Sequence, residues 1–76
     1  MFKLRTPVRV ITTRETGVTE TTDTVEATSP GRTNGYGAPA VMLRSLPGRW
    51  FHALTGEQLN SADKFMTIRI APVEWN

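Results

Sequence analysis

Residues 2–13 read FKLRTPVRVITT and residues 18–28 read VTETTDTVEAT, and these two runs decide the fold class. In the first, Phe2, Leu4, Val8 and Val10 alternate with Lys3, Arg5 and Arg9, the period-two pattern of a strand with one apolar face. Pro7 has no N–H to give to a ladder, which bends the strand there or keeps it at a sheet edge. The second run is rich in Thr and Val, which favour strands. Glu15-Thr16-Gly17 between them is a turn signal, so the sequence predicts a β-hairpin of 2–13 against 18–28. Charge supports this pairing. Residues 1–14 hold Lys3, Arg5, Arg9 and Arg14 with no acid, whereas residues 15–26 hold Glu15, Glu20, Asp23 and Glu26 with no base. Opposite charges then face each other across the ladder, each pair contributing about 0.2–1 kcal/mol.

Downstream, SPGRTNGYGAP at 29–39 has two Pro and three Gly and reads as a flexible loop. The apolar run AVMLRSL at 40–46 is too short for periodicity to separate a strand from a two-turn helix. Leu46-Pro47-Gly48-Arg49 fits a type II turn, with Pro second and Gly third. WFHAL at 50–54 is strand-like, so a second hairpin of 41–46 against 49–54 follows. Thr55-Gly56-Glu57-Gln58 has the form of a capping box. It predicts a short helix over 56–63 with Leu59 and Ala62 on one face; the competing reading is a Thr-Gly hairpin turn into another strand. FMTIRIA at 65–71 is the clearest strand, with Met66, Ile68 and Ile70 facing in and Thr67 and Arg69 facing out. Pro72 limits it, leaving 72–76 as a tail able to fold back through Trp75.

The expected fold is therefore mainly β (α+β). A single small domain over 1–76 would form a small antiparallel sheet or partly open barrel of about five strands, with one short helix before the last strand. A short helical turn in that place also occurs in SH3-like barrels, an analogy of fold that carries no function.

Composition narrows the chemistry. Leu, Val, Ile and Phe together number only 17 of 76 residues, so the core is thin, yet a net charge of +2 is too small to favour disorder. The absence of Cys removes disulfides, and a lone His52 argues against a zinc site, so neither metal nor cofactor is expected. No apolar run is long enough to span a membrane, and the first residues do not read as a signal peptide. A cytoplasmic location is the expectation. The pI of 9.7 comes from nine bases against seven acids and is a weak pointer to nucleic acid.

Catalysis is not expected. A turn at 46–49 would set Ser45 opposite Trp50 and Leu43 opposite His52, with Asp63 as a third member of a triad, but no Gly-x-Ser-x-Gly elbow is present. Gly35-Tyr36-Gly37-Ala38-Pro39-Ala40 fits Gly-x-Gly-x-x-Ala without the strand and helix that give this fingerprint its function. Asn34-Gly35-Tyr36-Gly37 resembles the Gly-aromatic-Gly core of an RNA-recognition strand, but the flanking basic and aromatic residues are missing.

Binding is the stronger reading. Arg49-Trp50-Phe51-His52 puts two large aromatics side by side on a strand, where successive residues point to opposite faces. A thin domain can hardly cover both. Arg32, Tyr36, Arg44, Arg49, Trp50 and Phe51, with the 31–38 loop, are the expected contact surface. The alternative has Trp50 filling the core and Phe51 covered by the loop or by Trp75. The chain starts at Met without a tag and reads as a complete small frame. The expected function is a non-enzymatic protein acting by protein–protein interaction. Phage-type inhibitors or regulators of a host complex, such as the transcription machinery, are the reference class, with the host cytoplasm as the location. The rival is a small β-domain that binds RNA or single-stranded DNA. A third reading is a structural or homo-oligomeric component whose sheet edges pair between copies.

Overall fold

The Thr-rich run is longer than one partner can use. In the computed structural model, which describes residues 2–31, 35–59 and 65–73, it forms β2 (Gly17–Ser29). Before it lies β1 (Pro7–Arg14), and after it come β3 (Ala40–Leu43), β4 (Leu46–His52) and β5 (Met66–Pro72). β2 pairs antiparallel with β1 from Arg14↔Gly17 to Pro7↔Thr24. From Val25 onward it pairs instead with β3, ending at Ser29↔Ala40, with a register shift between Val25 and Ala27. An extra residue in one strand bends it and adds twist. Here it carries one strand from one sheet segment into the next. β3 pairs with β4 and β1 pairs with β5, all antiparallel, giving the order β4-β3-β2-β1-β5. The sheet curls into a half-barrel.

Val25 marks the switch. Its N–H donates to the Thr6 carbonyl at 3.0 Å, its carbonyl accepts from the Arg5 N–H at 2.8 Å, and its side chain is fully buried. The first strand is shorter than its alternation suggested because the chain turns at Leu4-Arg5, where Arg5 takes a φ of 63°. Pro7 then opens β1, a position that tolerates a missing N–H.

Every second residue faces the concave side. Val8 and Val10 of β1, Val25, Val41 and Leu43, Phe51, Ala53, and Ile68 and Ile70 of β5 form the core. Phe2, Leu46 and Met66 border it. Each fully buried side chain contributes about 1.5–3 kcal/mol, so a core this small depends on every member.

Two expectations change. The second hairpin reverses at Arg44-Ser45, not at 46–49: Leu43 faces Leu46, Met42 faces Trp50, Val41 faces Phe51 and Ala40 faces His52. Leu46-Pro47-Gly48-Arg49 lies inside β4 as an irregularity opposite Met42 and Leu43. Gly48 does adopt the positive φ that a Pro-Gly pair prescribes, at 83°, but within a bulge. Its N–H donates to the Met42 sulfur at 3.3 Å.

The short helix before the last strand is not present in residues 56–59, and its remainder, 60–63, lies outside the described residues. Residues 56–59 instead run between β4 and β5. Phe51 bridges Gln58 and Glu57 bridges Arg69. The His52 N–H donates to the Glu57 carbonyl, the Leu59 N–H to the Trp50 carbonyl, and the Ile70 N–H to the Gly56 carbonyl, at 2.7, 2.8 and 2.8 Å. Bonds to two strands at once prevail over a short helix with a costly nucleus. The Thr55 hydroxyl, expected as a helix cap, accepts locally from the Glu57 N–H at 3.4 Å.

Gly56 makes this closure feasible. It has a φ of 81°, and a Cβ there would stand 2.0 Å from the Ile70 carbonyl oxygen. Gly56→Ala is expected to destabilise the fold by about 2–4 kcal/mol, through both strain and clash. Gly48→Ala, with a similar φ but open space around its Cβ, is expected to lose only about 1–2 kcal/mol. Urea denaturation of the two variants reads the difference, and equal losses would contradict the closure.

Candidate functional site

Strand alternation separates the two adjacent aromatics. Phe51 stands opposite Val41, has no exposed surface and is the largest fully buried side chain. It is a core residue and is corrected out of the expected contact surface. A curled sheet must fill its concave face, and register with Val41 places Phe51 there. Trp50 therefore points to the convex face, where it is half-buried. It stands in a row. Ala27 is opposite Met42 and Met42 is opposite Trp50. Leu59 bonds the Trp50 carbonyl one step beyond the Phe51–Gln58 bridge. Ala27, Met42, Trp50 and Leu59 thus cross the convex face together, each half-buried.

The other expected contact residues fall in different places. Arg44 lies in the β3–β4 turn, two residues beyond Met42, and ion-pairs with Glu26 at 3.4 Å. Both side chains are exposed, so the pair is screened by salt and contributes under about 1 kcal/mol. It flanks the apolar row, because Glu26 immediately precedes Ala27. Arg49 is half-buried and lines the opposite, concave side. Tyr36 is half-buried in the 35–38 bend, and Arg32 lies outside the described residues, as does Trp75.

The concave side has an open mouth. Val8, Val10, Thr12 and Arg14 share one face of β1 and run from core to rim, from apolar through hydroxyl to cation. At the rim a cleft of about 510 Å³ lies between β1, β2, the start of β4 and β5. Arg14, Arg49, Thr12 and Thr21 line it above Val10, Leu46, Met66 and Ile68. Among the described residues the ion pairs are Arg9–Glu20 and Arg44–Glu26, so neither Arg14 nor Arg49 is paired with an acid. Asp23, also at this rim, accepts the Thr24 N–H at 2.7 Å and the Ser45 N–H at 3.3 Å. Sequence reading did not single out Arg14; its signal was the period-two series Val8, Val10, Thr12, Arg14.

Ser45 and His52, which a turn at 46–49 would have made near neighbours, are not brought together. Ser45 sits in the turn beside Asp23, while His52 stands opposite Ala40. The His52 Nδ1 accepts the Leu54 N–H at 3.1 Å and the Thr55 N–H at 3.4 Å. Asp63 lies outside the described residues. Among the described residues, no three His, Cys, Asp or Glu side chains gather as a metal site, and no helix is long and apolar enough to cross a membrane.

The chain matches no family model, no curated protein and no solved structure.

The expected hairpin charge pairing takes the form of an ion pair between Arg9 and Glu20 on the convex face. Arg69 stands in the same register row as Glu20, with Ile11 between them. The Arg9 hydrogen bond holds the Glu20 carboxyl below its ordinary value. Desolvation opposes this, and the charges of Arg9 and Arg69 add to it. A carboxyl depressed in the folded state stabilises above its unfolded value and loses that contribution as pH falls through the folded one. Stability is thus expected to fall below about pH 4.5 in part through Glu20. Glu20→Gln is expected to flatten that part of the curve in urea titrations at stepped pH. An unchanged acid limb would contradict the assignment.

Proposed function

We propose that this protein is a non-enzymatic binding protein that acts by protein–protein contact through the convex apolar row. The carrying observation is the half-buried Trp50, set between Met42 and Leu59 on the face turned away from the core. Trp and Met are enriched at interfaces, and hot spots are rich in Trp and Arg. Arg44 and Glu26 supply the polar rim that such a patch requires. Acting on a larger host complex as an inhibitor or regulator, in the cytoplasm, is the role proposed for so small a domain. The rival nucleic-acid reading needs aromatics and cations in one groove. It is weakened because Arg49 faces the mouth and Trp50 the convex side, and because Glu26 sits beside Arg44.

The test uses a partner isolated from the native host with the tagged chain and then purified. Trp50→Ala is expected to weaken its binding about 30-fold or more in calorimetric titration, the loss of a hot-spot residue. The same variant loses less stability than Phe51→Ala, which is expected to lose about 3–5 kcal/mol. Full partner affinity in a folded Trp50→Ala variant would overturn the proposal.

A further inference from the structure

We infer that the mouth of the half-barrel is a second binding site, which takes an extended peptide segment bearing acidic side chains. This deepens the protein-binding reading and rests on it, but uses a different surface.

Charge carries the first part of the argument. Arg14 and Arg49 reach the cleft from β1 and β4 without an acidic partner among the described residues. The nearby carboxylate of Asp23 already accepts two backbone N–H groups. Unpaired guanidinium groups favour carboxylates, which they bind in fork geometry. The floor is apolar, with Leu46 and Met66 half-buried beside Val10 and Ile68.

Backbone supplies the second part. β5 pairs with β1 along one edge, including Met66↔Arg14, Thr67↔Thr13 and Ile68↔Thr12. On its other edge, segment 56–59 engages only from Arg69 onward. The same segment engages β4 only from Trp50 onward. Among the described residues, β5 therefore presents a free edge at the mouth from Met66 to Ile68, whereas β4 there is the bulge of Pro47 and Gly48. A free edge is a template for an added strand, and an extended peptide pairs with it while its alternate side chains fill the adjoining pocket. Acidic side chains would meet Arg14 and Arg49, and apolar ones the floor. Among the described residues no aromatic side chain lines the cleft, so none of them offers the stacking platform on which single-stranded nucleic acid depends.

The experiment is fluorescence anisotropy with the full chain and three labelled probes: a short peptide of alternating Glu and Val, its Lys-Val counterpart, and oligothymidylate. The expected result is binding of the Glu-Val peptide alone, weakening as salt rises. The double variant Arg14→Glu/Arg49→Glu, shown to be folded by circular dichroism, is expected to bind it about tenfold more weakly or worse. The Arg14→Gln/Arg49→Gln variant serves if the charge reversal unfolds the chain. Trp50→Ala is expected to bind the peptide as the parent chain does. The inference is overturned by absence of Glu-Val binding, by equal binding of the Lys-Val peptide, or by tighter binding of oligothymidylate. Retained binding in the folded arginine variants, or loss in Trp50→Ala, also overturns it. Such a failure leaves the convex-face proposal standing, because that proposal is read from partner affinity.

Discussion

The half-barrel depends on the stagger of β2, which pairs with β1 over one half of its length and with β3 over the other. In a flat sheet the same residues would pair on both edges, and one broad apolar face would have to be covered by another layer. This chain has few apolar residues with which to build one. The register shift after Val25 curls the sheet so that its concave side covers itself. Val25 is fixed there by two backbone bonds to the Arg5–Thr6 segment and by complete burial. The core of valines, Leu43, Phe51 and the isoleucines can fill a curled sheet of this size, and would leave a flat one half bare.

The same stagger accounts for the asymmetry between the two ends. Toward Ile70 and Ala53, segment 56–59 stitches β4 to β5, with Gly56 against the Ile70 carbonyl. Toward Arg14, β3 has already left β2, and nothing among the described residues joins β4 to β5. The interior there runs out of apolar side chains and ends in hydroxyls and arginines. Convex and concave faces thus acquire different chemistries from one set of strands. The convex face has an apolar row with a charged rim, and the concave face has a cationic mouth.

Much of the sheet was legible in the sequence. β5 reads correctly because Met66, Ile68 and Ile70 alternate with Thr67 and Arg69 over a full strand. The β1–β2 hairpin was legible from alternation, the Thr-Gly turn and the segregated charges, one pair of which is Arg9–Glu20. The misread features share a physical cause, since local chemistry served two structures equally. Pro47-Gly48 satisfies a type II turn and also a bulge, and the choice was made by Leu43 and Leu46 meeting at the core. Thr55 and Gln58 fit a capping box, but backbone partners on two distant strands were stronger. Alternation required one of Trp50 and Phe51 to face out; only register with Val41 decided which. Arg14 could be placed on the core-facing side of β1 from spacing alone, but the cleft it lines exists only once β4 and β5 have curled around.

The central claim is that β4 gives Phe51 to the core and Trp50 to recognition. Hydroxyl-radical footprinting with mass spectrometry, on the free protein and on its complex with the purified partner, tests this most directly. The account predicts that Met42 and Trp50 are oxidised in the free protein while Phe51 is protected, and that the partner suppresses labelling at Met42 and Trp50. Labelling of Phe51 as fast as Trp50, or labelling of Trp50 unchanged in the complex, would contradict it.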